Sequence, residues 1–238
     1  MPSSPYDPVG LFDAEVTDAV LRSIGRAVLQ GYQEAFRYCQ ENFSRGETHD
    51  VLPQLRRAAV ERNVRSVLVR YAPRVKVAPR LNKTHNAWHN EIAAGRVVMT
   101  VNAVTNPGDM VRDAEFRCQY ARDCQGNLFG TEGEEPAPDA PLFAVLLHGP
   151  EPKQRGAVPG PLVQSVGVDG EPVTGVARRR MDRPAFFQVA FPDKDLARYI
   201  GDPIDLLRRF PDLGDEGDAG AQPVPQPVVP PVSIDKVV

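Results

Sequence analysis

One apolar stretch constrains the fold of this chain more than any other part of its sequence. Residues 142–148 (LFAVLLH) contain an unbroken apolar run that ends at His148. An uninterrupted run of this length is typical of a strand buried inside a sheet. We therefore expect residues 142–148 to form a central strand.

Strand patterns before and after this run provide the neighbours that a central strand needs. Residues 185–191 (AFFQVAF) are apolar and aromatic, and an Asp-Gly turn sequence joins the weaker patterns at 162–168 and 173–178. The short connections favour an antiparallel meander over parallel crossovers. The predicted sheet is formed mainly by residues 96–104, 142–148, 162–168 and 185–191.

The front half of the sequence predicts two long helices. Residues 14–43 and residues 50–71, the second capped by Asp50, carry apolar side chains at helical spacing. Cys39 lies on the first apolar stripe, which favours a buried packing thiol over a reactive one. Pro73 ends the second helix, because proline lacks the N–H that a continuing helix needs.

Three shorter helices are also predicted. They cover about 84–95, 110–125 and 203–210, the last with Asp202 as its cap and proline at its first position. The first of them places four side chains on one face, at spacings of three and four residues. These are His85, Trp88, His89 and Ile92.

The fold class that these elements predict is α+β, with N-terminal helices packed on a mainly antiparallel sheet. Residues 1–12 are expected to be a flexible N-terminus, and residues 13–211 a single α+β domain. The polar, Pro-rich stretch 130–141 is the best position for a subdivision. Residues 212–238 are first acidic and then Pro-rich, so we expect a disordered tail.

Composition excludes several classes of protein. The net charge of the 238-residue chain is −3, so binding to polyanions would depend on a local basic patch. Three cysteines and no apolar leader argue against a secreted disulfide scaffold. No apolar run approaches the roughly 20 residues of a membrane helix. We therefore predict a cytoplasmic protein with no membrane contact.

Such a basic patch is present between residues 56 and 83, here called the basic segment. It contains nine basic residues and one acidic residue, Glu61, in a chain that is acidic overall. This pattern is typical of a surface that binds along a phosphate backbone. A solvent-exposed face whose positive charge is balanced by acidic residues elsewhere has the same pattern. A second basic cluster follows at 178–183. The basic residues of the segment are Arg56, Arg57, Arg62, Arg65, Arg70, Arg74, Lys76, Arg80 and Lys83.

Aromatic residues are sparse around the basic segment. Only Tyr71 and Trp88 lie within or beside it, which argues against a stacking platform for single strands. The predicted nucleic-acid-binding residues are Arg56, Arg62, Arg65, Arg70, Arg74, Lys76, Arg80 and Lys83.

The two histidines of the predicted helix 84–95 are candidate metal ligands. His85 and His89 are four residues apart on a helix and could share a divalent ion, although the pattern is not HExxH. The same spacing suits two histidines that pack at the edge of the core. Cys118 and Cys124 do not complete a zinc site, because they point about 120° apart around one helix. No cofactor is predicted, and a divalent metal is the one exception left open.

Four residues are candidates for catalysis. His148 ends the central strand, where it can serve as an acid–base group or as a hydrogen-bonded structural histidine. Asp139, Glu151 and Lys153 have a spacing similar to that of metal-dependent nucleases of the PD-(D/E)xK kind. The prolines around Glu151 oppose a central strand there, which weakens that likeness. The sequence has no G-x-S-x-G, Walker or G-x-G-x-x-G motif.

The leading functional hypothesis is a protein that binds DNA or RNA through the basic segment. One alternative is a metal-dependent hydrolase or nuclease that uses the histidine pair or the set Asp139, Glu151 and Lys153. The other is a protein-interaction module that binds a partner through the C-terminal tail or the basic face.

Overall fold

The computed structural model describes residues 7–72, 74–81, 88–111, 114–129, 140–150 and 181–215. The helices within these ranges are α1 Pro8–Glu15, α2 Asp18–Asn42, α3 Arg45–Tyr71, α4 Glu115–Phe129, α5 Leu206–Arg209 and α6 Asp212–Asp215. The strands are β1 Val75–Leu81, β2 Trp88–Ala94, β3 Val97–Ala103, β4 Leu142–Gly149, β5 Phe186–Ala190 and β6 Ile204–Asp205.

Side-chain caps determine where the long helices begin. The hydroxyl of Thr17 accepts a hydrogen bond from Val20 N, so the predicted helix 14–43 is divided into α1 and α2. Ser44 and Glu47 form a reciprocal capping box that starts α3 ahead of the predicted cap, Asp50. Pro53 therefore lies inside α3 and not in its first turn.

Helices α2 and α3 pack as an antiparallel pair whose closest approach depends on a glycine. A Cβ atom added at Gly31 would lie 2.7 Å from the backbone N of Val60. No side chain fits at that distance, so glycine allows the two helix backbones to touch. The buried stripe on α2 includes Cys39, which confirms the predicted packing thiol.

The sheet is mixed, with the strand order β1-β2-β3-β4-β5-β6. Strands β3 and β4 are parallel and the other four pairings are antiparallel. Helix α4 connects the parallel pair, so the chain makes a crossover that the predicted meander lacks. Strand β4 is central, as predicted. The predicted sheet omits β1 and β2, which are joined to the rest by a turn at Gly95 with φ +54°.

Helices cover both faces of the sheet, because side chains alternate along each strand. In β4, Leu142, Ala144 and Leu146 pack against α1, α2 and α3. Phe143, Val145 and Leu147 pack on the other face, with Ala121 and Cys124 of α4. The α+β class with N-terminal helices on a largely antiparallel sheet is thus confirmed.

Several local predictions are wrong. Residues 88–94 form a strand and not part of a helix 84–95, and Asp205 rather than Asp202 caps the last predicted helix. The predicted flexible segment 1–12 overlaps α1, where Leu11 and Phe12 are buried. The predicted tail begins with α6, where Leu213 packs into the core.

Other predictions fall on residues outside the described ranges. These are the strands at 162–168 and 173–178, nearly all of the boundary at 130–141, and the tail from residue 216 onward. Among the described residues, no helix combines the length and the apolar character that crossing a membrane requires.

Candidate anion-binding cleft

Polar side chains collect at one end of the sheet, where β3 and β4 both finish. Asn102 and His148 lie near the carboxyl ends of these parallel strands, and the antiparallel register brings the start of β2 beside them. Ligands bind in sheets with parallel strands at such an end. Two separate polar clusters occur here, one on each side of α3.

The inner cluster consists of Tyr32, Arg56 and His148, between α2, α3 and β4. The Tyr32 hydroxyl lies 2.9 Å from Nδ1 of His148, and the Arg56 guanidinium lies 4.3 Å from the centre of the Tyr32 ring. Arg56 also donates to the carbonyl of Met181 at 3.0 Å. Burial and the nearby Arg56 charge lower the pKa of His148 to about 3, so the imidazole is neutral near pH 7.

These contacts change the interpretation of two sequence predictions. His148 is 2% exposed and hydrogen-bonded. It therefore fits the predicted structural histidine and not an acid–base group that is open to substrate. Arg56 is 7% exposed, so it does not belong to the predicted nucleic-acid-binding surface. Its aliphatic stem and its guanidinium both serve the packing of α2 against α3.

On the other side of α3 lies a cleft of about 550 Å³, bounded by α3, β1 and β2. Helix α3 contributes three arginines, Arg57, Arg62 and Arg65, and β2 contributes the indole of Trp88, which is 61% exposed. The residues that line the cleft are Gln54, Arg57, Ala58, Glu61, Arg62, Arg65, Pro79, Trp88, His89 and Asn90.

Glu61 and Asn90 connect the two walls of the cleft. The amide N–H of Asn90 donates to Oε2 of Glu61 at 3.0 Å, and its side-chain Nδ2 donates to the same oxygen at 2.6 Å. Burial raises the pKa of Glu61 to about 7, although these hydrogen bonds and the charge of Arg57 act in the opposite direction. The carboxyl group therefore changes its charge near neutral pH.

His89 lies in β2 at the edge of the cleft, and its ring points to the opposite, α4 face of the sheet, as does its cross-strand neighbour Arg80. It is 5% exposed, and its ring stacks on Phe116 of α4 with 3.7 Å between ring centres. Among the described residues, neither ring nitrogen finds a hydrogen-bond partner. Burial, and then the charge of Arg117, lower the pKa of His89 to about 4. A neutral imidazole without partners is uncommon in a folded protein.

The predicted metal pair is not supported by this geometry. His89 belongs to a strand, so the helical spacing that was to bring it beside His85 does not exist. His85 itself lies outside the described ranges, as do Asp139, Glu151 and Lys153. Within the described part of the chain, no three His, Cys, Asp or Glu side chains are grouped closely enough to hold a metal ion.

The basic segment is divided between the two faces of the sheet. Arg57, Arg62 and Arg65 of α3 line the cleft. These three residues are here called the α3 half of the basic segment. In β1, Val75 and Val77 pack towards the helical core, so the alternating residues Lys76 and Arg80 lie on the α4 face. These two form the β1 half.

Several members of the segment already have partners. Arg62 pairs with Glu34 at 2.6 Å, and Arg80 pairs with Glu91 at 3.1 Å. Glu91 also accepts a hydrogen bond from Tyr120, and these donors outweigh burial and lower the pKa of Glu91. Arg65 is exposed and has no acidic partner among the described residues.

Arg70 and Arg74 do not line the cleft. Arg70 and Arg74 are exposed near the end of α3, with the Arg70 guanidinium 5.8 Å from the centre of the Tyr71 ring. Lys83 lies outside the described ranges, as does most of the second basic cluster at 178–183.

Comparison with protein-family models, with curated proteins and with solved structures found no match to this chain.

Sequence reasoning missed four residues of the cleft as site residues. Arg57 and Glu61 could be identified from the sequence, because with Arg65 they repeat every four residues and so share one face of α3. Asn90 and the exposed indole of Trp88 carried no such signal, since they depend on the pairing of β2 with β1 and on its distance from α3.

Proposed function

We propose that this protein binds single-stranded nucleic acid in the cleft between α3 and β2. Arg57 and Arg65 contact phosphates, and the indole of Trp88 stacks on a base. The observation that carries the proposal is the exposed Trp88 ring beside the arginines of the α3 half. Cationic groups combined with an exposed aromatic ring are what single-strand binding requires.

The hydrogen bond from Arg57 to the backbone of Trp88 supports this arrangement. The Arg57 guanidinium lies 3.4 Å from the carbonyl oxygen of Trp88, so Arg57 reaches across the cleft to the residue that carries the indole. A base stacked on the indole would bring its own phosphate within reach of α3. Because Arg62 is neutralised by Glu34, the phosphate contacts are assigned to Arg57 and Arg65.

A duplex fits this surface less well. The aromatic contribution of Trp88 requires a base face that is not already stacked, and bases in a duplex are stacked on both sides. The cleft is also bounded by the edge strand β1, which leaves a channel beside a single helix and not a broad convex basic surface.

Trp88 provides a direct test, because it is the only tryptophan in the sequence. Titration with a single-stranded oligonucleotide, DNA and RNA in separate arms, should quench its fluorescence. The logarithm of the binding constant should fall linearly with the logarithm of salt concentration, by about 0.7 per phosphate contact. The double variant Arg57→Ala/Arg65→Ala should reduce that slope by about 1.4.

A matched control is available on the other face of the sheet. Arg122 is an exposed arginine of α4, and Arg122→Ala should leave both the affinity and the salt slope unchanged. The proposal is wrong if neither strand quenches Trp88 at low salt, or if the Arg122 variant weakens binding as much as the double variant.

The cytoplasmic location and a protein partner for the C-terminal tail remain predictions.

A further inference from the structure

The cleft has the size and the chemical groups of a small-molecule site as well as those of a strand-binding surface. Its volume of about 550 Å³ lies within the range of ligand pockets. Its walls offer three kinds of group: cations from α3, an aromatic face from Trp88, and the carboxyl group of Glu61. Each kind suits a different part of one nucleotide.

The carboxyl group of Glu61 is the part of the cleft that phosphate binding does not use. Both hydrogen bonds from Asn90 go to Oε2. Glu61 is half-buried where it lines the cleft, and among the described residues the hydrogen bonds to its carboxylate end on Oε2 alone. Oε1 is therefore the oxygen left to accept from an N–H group of a ligand.

The charges around Glu61 determine what kind of ligand can supply this N–H group. Arg57 lies on the same helix and Arg117 faces Glu61 from α4, while His89 of β2 is neutral at pH 7. A free cation would be repelled by these arginines. A neutral N–H donor attached to an anion would be attracted, and an amino-bearing nucleobase with its phosphate is such a molecule.

We propose that the cleft holds one nucleotide whose base bears an exocyclic amino group, with that group donating to Glu61 while the base stacks on Trp88. Its phosphate lies at Arg57 and Arg65. This inference rests on the proposed function and adds base preference to it. A carboxylate accepts from the amino group of cytosine and repels the carbonyl that uracil presents at the same position.

Cytidine and uridine 5′-monophosphates are a matched pair for the test, because they differ in this one substituent. Quenching of Trp88 at pH 8 should show cytidine monophosphate binding about tenfold tighter than uridine monophosphate. Ribose 5-phosphate, which has no base to stack, should bind more weakly than either. Glu61→Gln should bring the ratio between the two nucleotides close to one, since the amide both donates and accepts.

The control variant is Glu41→Gln, which removes the same charge from an exposed position of α2 outside the cleft lining and should preserve the tenfold ratio. Equal affinities in the unmodified protein overturn the base preference, and so does a ratio that survives in Glu61→Gln. If neither mononucleotide binds at 10 mM, the comparison moves to oligocytidine and oligouridine strands. Equal binding of those strands overturns it as well.

Failure of this inference is distinguishable from failure of the proposed function. Salt-dependent strand binding that requires Arg57 but ignores base identity removes the base preference alone. Absence of strand binding at low salt removes the proposed function, and the base preference with it.

Discussion

The two sides of α3 carry similar side chains, which are buried and bonded to one another on one side and open to solvent on the other. The inner cluster contains an arginine and an aromatic ring, and so does the cleft. In the inner cluster, Tyr32 and His148 are hydrogen-bonded to each other, and the Arg56 guanidinium lies over the Tyr32 ring and donates to Met181. In the cleft, Arg65 has no acidic partner among the described residues, and Trp88 is open to solvent.

The difference teaches that residue type alone does not identify a site. Arg56 and Arg57 are consecutive in the sequence, yet one is packed on Tyr32 and the other lines an open cleft. A set of buried side chains that bond to one another stabilises the fold. A set with unused donors and acceptors around a cavity has capacity for a ligand. Four substitutions test this contrast, in order of decreasing effect.

The largest effect is expected on the stability of the inner cluster. Arg56→Ala removes the contact with Tyr32 and the hydrogen bond to Met181, and it leaves a space between α2 and α3. The free energy of unfolding should fall by roughly 3 kcal/mol, as is usual for buried polar truncations. Urea denaturation measures it, with Arg57→Ala as the neighbour that should lose less than about 0.5 kcal/mol. Equal losses would contradict the contrast.

A smaller effect concerns the pH dependence of stability. The pKa of Glu61 rises from its ordinary 4.5 to about 7 on folding, so the native state holds the proton more tightly. The contribution of this group to stability is therefore full below pH 4.5 and is lost as the pH rises towards 7. Glu61→Gln carries no such proton, and its stability relative to the unmodified protein should improve by roughly 2 kcal/mol between pH 5 and pH 8.

Urea denaturation at several pH values measures that difference, with Glu41→Gln, at an exposed position of α2, as the control. A relative stability of Glu61→Gln that does not change between pH 5 and pH 8 would mean that the carboxyl group is not held in a dry environment.

The third effect compares the two halves of the basic segment. Arg57→Ala should weaken oligonucleotide binding about tenfold, which corresponds to the loss of one charge-assisted hydrogen bond. Lys76→Ala removes the same charge from the β1 half, on the other face of the sheet, and should change affinity less than twofold. Fluorescence anisotropy at fixed salt measures both. The reverse order would move the interface to β1.

The smallest effect is expected from one hydroxyl group. Tyr32→Phe keeps the ring under Arg56 and removes only the hydrogen-bond partner of His148. The cost should be about 1 kcal/mol in free energy of unfolding, with unchanged oligonucleotide binding. Thermal and urea unfolding of the variant measure it, and a loss of binding would show that the inner cluster is not independent of the cleft.

The sequence predicted the apolar skeleton of the fold because burial leaves periodic patterns. The run at 142–148 is the central strand β4, and the stripes of α2 and α3 follow the expected spacing. The capping box of Ser44 and Glu47 is also a local signal in the sequence, and it begins α3 ahead of the predicted cap, Asp50. Local chemistry was therefore sufficient for the long helices.

Other features depend on contacts between distant segments, which a single sequence does not display. Trp88 and His89 follow a helical spacing with Ile92, yet pairing with β1 and β3 makes them a strand. The parallel crossover through α4 likewise depends on which strands meet. The charge count identified the basic segment but not its division, because the change from α3 to β1 turns successive basic residues towards opposite faces.

Photocrosslinking tests the proposed interface most directly. A single-stranded oligonucleotide with photoreactive bases, crosslinked to the full chain and mapped by mass spectrometry, should attach to Trp88 and to the 54–65 stretch of α3. Arg57→Ala/Arg65→Ala should reduce the yield, and Arg122→Ala should not. Crosslinks confined to the β1 half or to α4, or no crosslinks above the level of a protein that does not bind nucleic acid, would contradict the assignment of the cleft.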